Sequence, residues 1–119
     1  MPTERPAQRL RDIIANIGRI RDHVRGMDEK TFLEDGKTLD AVERCLERIA
    51  EASRKIGKRY DGDYPELHLA ALRDFGSKLR HDYDVIEPRR LWGFARERLD
   101  PLEAMARTEL AKLADEEGR

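Results

Sequence analysis

Apolar residues near the start of the chain recur at three- and four-residue steps: Leu10, Ile13, Ile14, Ile17, Ile20 and Val24. That spacing puts them on one side of an α-helix with arginines on the other, so we predict a helix from Pro6 to Arg25, stopped by Gly26. Asp28 suits the N-cap of a short helix holding Phe32 and Leu33, which Gly36 should interrupt. A long helix is expected from about Thr38 to Lys58, with Leu39, Val42, Leu46, Ile49 and Ile56 inward and Ala50 and Ala52 small enough to admit a close neighbour. Tyr60-Asp61-Gly62-Asp63-Tyr64-Pro65 reads as a loop. A third long helix, from about Glu66 to Asp82, turns Leu69, Leu72, Phe75 and Leu79 to the core. Pro88 fits the first turn of a last helix carrying Leu91, Trp92, Ala95 and Leu99, which Asp100-Pro101 should kink or break. Leu102, Met105, Leu110 and Leu113 continue the pattern before the tail frays from Asp115 onward. No segment alternates with period two for long, so the expected fold is all-α, a bundle of four long helices with short helical segments.

Composition narrows this picture. The 119 residues suit one domain, spanning 1–119, with a single core. Hydrophobic residues make up 39% and charged residues 41%, few apolar groups for a monomer, so heavily charged outer faces and burial against a second copy are expected. A net charge of -1 gives no bulk attraction to nucleic acid, so any RNA contact must come from a local basic patch. The lone Cys45 sits among Val42, Leu46 and Ile49 and reads as a small buried hydrophobe. No apolar run approaches the ~20 residues of a membrane span, and the charged start Met1-Pro2-Thr3-Glu4-Arg5 is unlike a signal peptide, which points to a cytoplasmic protein. One cysteine and three scattered histidines lack zinc spacing, and no phosphate-binding loop or serine elbow is present, so neither metal nor cofactor is expected.

Most of the chemistry lies in Leu79-Arg80-His81-Asp82-Tyr83-Asp84, a run containing an imidazole, a guanidinium, carboxylates and a phenol just before Glu87-Pro88. At about 100° per residue, Asp74, Lys78 and His81 share one helix face and Ser77 lies about 40° from His81. Arg80 is about 100° away and Tyr83 about 200° away, so they join His81 only where the helix loosens at its end. Each group also has an ordinary structural use: histidine and arginine suit a helix C-terminus, and a packed tyrosine often leaves its hydroxyl exposed. His23 and His68 lack a comparable polar cluster and read as surface or boundary residues.

The chain resembles the HepT-like branch of the HEPN superfamily, all-helical proteins described as toxin ribonucleases paired with a minimal nucleotidyltransferase antitoxin. The likeness rests on the helix segment Arg9 to Ile17, the helix segment Asp40 to Ala52, and the His-x-Tyr segment His81-Asp82-Tyr83. In much of that family an arginine stands five positions before the histidine, followed by asparagine; here Gly76 and Ser77 occupy those places. The sequence is similar to a subgroup with this glycine and with an arginine directly before the histidine, here Arg80.

The resemblance implies a metal-independent endoribonuclease, the toxin of a type VII toxin–antitoxin pair. His81 would move protons at the 2′-hydroxyl or leaving oxygen. Arg80 would hold the phosphate, with Arg73 and Lys78 as substitute cations. Asp74, Ser77 and Asp82 would support the site. It also implies a homodimer and a Tyr83 that accepts adenylyl groups from the antitoxin. The alternative is a catalytically impaired helical dimer that docks a nucleotidyltransferase, favoured by the missing arginine at Gly76. A purely structural helical dimer is what remains if neither RNA nor partner binds.

Overall fold

A computed structural model of the protein describes residues 5–81 and 87–117, the side chains of Arg80 and His81 excepted. It is all-α, with no strand among the described residues. The helices are α1 (Pro6–Val24), α2 (Glu29–Glu34), α3 (Gly36–Ile56), α4 (Leu69–His81), α5 (Pro88–Glu97) and α6 (Leu99–Glu117), with a 3₁₀ turn at Pro65–Leu67 before α4.

Local chemistry sets these boundaries. Pro6 opens α1, where its missing N–H costs nothing, and Gly26 takes φ +75° just beyond its end. Asp28 caps α2 in a reciprocal pair with Thr31: the Thr31 N–H donates to Asp28 Oδ1 at 2.8 Å and the Asp28 N–H to Thr31 Oγ1 at 3.0 Å. Those bonds hold the Asp28 carboxyl below the usual carboxylate range. Asp35 does the same for α3, accepting from the Thr38 N–H at 3.1 Å, so Gly36 begins a helix where we expected an interruption.

Two further expectations shift. The third long helix starts at Leu69, because the 3₁₀ turn ends with His68 in the left-handed region at φ 51°. The break expected at Asp100-Pro101 falls at Arg98, and Pro101 lies inside the first turn of α6. A proline there removes an N–H that has no intrahelical partner, so the chain bends before it.

The core runs through α1, α3 and α6. Leu10, Ile13, Ile17, Ile20, Leu46 and Ile49 are fully buried, each such side chain contributing about 1.5–3 kcal/mol of transfer free energy. Cys45 is buried among them, as its neighbours suggested. α6 runs antiparallel to α1: Arg21 near the end of α1 pairs with Asp100 and Glu103 at the start of α6, while Arg5 and Gln8 lie beside Leu113 and Glu117. Phe32 of α2 is fully buried and meets Trp92 of α5 at 5.2 Å between ring centroids, tying the short helices together. The buried Glu109 of α6 accepts from Tyr64 Oη at 2.6 Å and from Lys112 Nζ at 3.1 Å. Bonded to that carboxylate, the Tyr64 phenol is pushed up to about 12.

Candidate active site

α4 carries the expected chemistry and has two unlike sides. On the inner side Leu69, Leu72 and Leu79 are buried and Phe75 is half-buried. On the outer side Ala70, Ala71, Asp74, Ser77 and Lys78 are exposed. The backbone remains helical through His81, so by register that residue falls in line with Asp74 and Lys78. By register Arg80 falls in the row of Arg73 and Gly76. Asp82 and Tyr83 lie outside the described residues.

Gly76 explains the geometry of the flank that meets α3. It is buried, and a Cβ placed on it would collide with the Cβ of Ala50 and reach 3.6 Å from the Ala50 Cα. α4 therefore approaches α3 to backbone distance, a contact that only glycine against a small residue allows. An arginine at this position, as in much of the resembled family, would force the two helices apart.

Arg73 holds the same contact one turn earlier. Its guanidinium grips Asp61 through Nη1 to Oδ1 at 2.9 Å and Nη2 to Oδ2 at 2.6 Å, and Nη1 also donates to the Gly57 carbonyl at 3.1 Å. This two-pronged bond holds the Asp61 carboxyl below its ordinary range and raises the arginine. Arg73 thus ties α4 to the end of α3 and to the loop beyond it, with α4 antiparallel to α3. Among the cations named from sequence, Lys78 is the described one that faces solvent on the outer row.

The opposite flank of α4 holds a feature that sequence reasoning missed. Phe75, Arg90, Gly93, Phe94 and Arg98 line a cleft of about 300 Å³ between α4 and α5. A glycine inside the strongly amphipathic Pro88–Glu97 segment, between Trp92 and Phe94, was the available signal. Among the described residues no group of three His, Cys, Asp or Glu side chains gathers as a metal site would require. No helix among them is long and apolar enough to cross a membrane.

The described helices make up a small all-α domain. The family described as "Ribonuclease HepT-like" matches residues 13–109, and the chain belongs to it. The chain is 34% identical over 93 residues to "Probable ribonuclease HepT" of Thermococcus cleftensis, covering 78% of this chain and 84% of that protein. It is 33% identical over 92 residues to "Putative RNase MJ0127" of Methanocaldococcus jannaschii, covering 77% and 76%. No solved structure matches it.

Proposed function

We propose that this protein is a metal-independent endoribonuclease acting as the toxin of a toxin–antitoxin pair, with His81 and Arg80 at its centre. The observation that carries the reading is the outer row of α4, where exposed Asp74 and Lys78 share a register with His81 at the helix end, in a chain of the HepT-like ribonuclease family. An imidazole, whose unperturbed pKa lies near neutrality, is suited to taking the 2′-hydroxyl proton or returning one to the leaving oxygen. Arg80, one residue earlier, holds the phosphate with a planar fork of donors. Lys78 adds positive charge beside it, Asp74, Ser77 and Asp82 orient the site, and Arg73 keeps α4 in place. The small apolar share of the chain calls for burial against a second copy, giving a homodimer.

Regulation follows from Tyr83. A minimal nucleotidyltransferase transfers adenylyl groups from ATP to its hydroxyl, releasing pyrophosphate, and each phosphodiester sets a fixed anion where RNA phosphate must bind. The purified protein should cleave single-stranded RNA in chelator, and His81→Ala should lose ~10²–10⁴-fold of that rate with its melting temperature unchanged. Cleavage by the His81→Ala protein at the wild-type rate would exclude the assignment.

The closure of Gly76 against Ala50 favours one other reading, a HepT-like dimer that docks the nucleotidyltransferase without cutting RNA. Under that reading the wild type and the His81→Ala protein are equally inactive on RNA, yet both bind the partner.

A further inference from the structure

We infer that the cleft between α4 and α5 is a nucleotide subsite, which seats one base of single-stranded RNA next to the proposed catalytic row. Its walls are built as such a subsite requires. The Arg90 guanidinium lies 5.1 Å over the ring of Phe75, and that of Arg98 lies 5.7 Å over the ring of Phe94. Rings and guanidinium groups set side by side in this way offer faces to a base, and sequence-tolerant RNA recognition relies on aromatic rings and arginine planes. Arg98 is fixed from behind, donating through Nη2 to the Leu67 carbonyl at 2.6 Å. Arg90 is exposed, so its outer N–H groups are available to a backbone phosphate. The lining carries two arginines against the single carboxylate of Glu97, a local positive excess in a chain whose net charge is -1.

The floor is open by construction. A Cβ added at Gly93 meets nothing within 4 Å, unlike the one at Gly76, so the missing side chain leaves the space vacant and nothing in the fold demands it. At about 300 Å³ the cleft is at the lower end of ligand-site sizes and holds one nucleotide.

Position links it to the chemistry. Phe75 precedes His81 by six residues, roughly 9 Å along the helix axis, and the exposed Lys78 stands between them. A strand whose base enters the cleft can lay its phosphate past Lys78 toward His81. This subsite deepens the ribonuclease reading and rests on it for its substrate class.

The test uses a short 2′-O-methyl RNA strand, which has no 2′-hydroxyl to attack and so reports binding alone. Gly93→Leu fills the cleft, and Arg90→Met keeps the stem over Phe75 while removing the charge. Both should keep the wild-type oligomeric state and helical content and bind the strand about 10-fold more weakly, the usual worth of one stacked base. Wild-type affinity in both cleft variants, or no binding by the wild type itself, would overturn the subsite. Loss of the oligomer by light scattering in Gly93→Leu would also overturn it, by showing that the cleft receives protein. If the wild type binds, the cleft variants bind about 10-fold more weakly and an ordinary RNA strand stays uncut, the subsite stands and the ribonuclease reading falls.

Discussion

The two flanks of α4 are each governed by one glycine, and the two glycines do opposite things. At Gly76 the absent side chain is filled by Ala50 of α3, so the helices touch backbone to backbone and the flank is shut. At Gly93, on α5, the absent side chain is filled by nothing and leaves a cleft under Phe75 and Phe94. The same residue type therefore closes one side of the functional helix and opens the other. In the shut flank there is no room for an arginine at position 76, which is the physical reason to look for a phosphate-binding cation elsewhere.

That contrast can be broken most severely at Gly76. Gly76→Arg should destabilise the fold by about 3 kcal/mol or more in urea unfolding, because an overpacked contact between two helices has no slack to relax into. Combining Gly76→Ala with Ala50→Gly should recover at least about 1 kcal/mol relative to the sum of the single changes, since the two side chains compete for one space. Additivity of the pair would mean that the contact is not as close as described.

A smaller effect is expected at the Arg73–Asp61 bond that secures the shut flank. The folded state lowers the Asp61 pKa through the hydrogen bonds from Arg73, so the stabilisation is complete above the unfolded value near 3.9 and is lost as pH falls through the folded one. Arg73→Met should cost about 1 kcal/mol at neutral pH for this partly exposed pair, and its deficit relative to wild type should shrink as acid protonates Asp61. A deficit that stays constant between pH 6 and pH 2 would assign the loss to packing of the arginine stem instead.

The smallest effect is at Gly93. Gly93→Ala should raise stability by about 0.5–1 kcal/mol, the helix-propensity difference, because a methyl group there meets open space. A destabilised Gly93→Ala protein would show that the open flank is not open.

The helices were legible from sequence because their apolar stripes are long and their starts carry recognisable residues: Pro6, Asp28 and Pro88 all sit where their backbone chemistry is useful, while the end of α3 at Gly57 was passed over. Proline at 101 misled because its effect depends on position: it breaks a helix interior but is harmless in a first turn, and only the bend at Arg98 makes this a first turn. Gly36 misled in the same way, since Asp35 recruits it into the start of α3. In the candidate site, the row Asp74, Lys78 and His81 followed from helical periodicity alone. The engagement of Arg73 by Asp61 and Gly57 did not, because it depends on how the loop returns, and charge spacing carries no such information. Gly76 and Gly93 look alike in the sequence; what separates them is the element opposite each, which only packing supplies.

The most direct test of the whole account is a map of amide chemical-shift changes when the 2′-O-methyl RNA strand is added to the protein. The account predicts that the shifts gather on the outer row of α4 around Asp74 and Lys78 and on α5 around Arg90 and Gly93, with the α1 and α3 amides unmoved. Shifts confined to the polar groove of Arg9, Arg44, Arg48 and Lys55 between α1 and α3, with α4 and α5 silent, would contradict it.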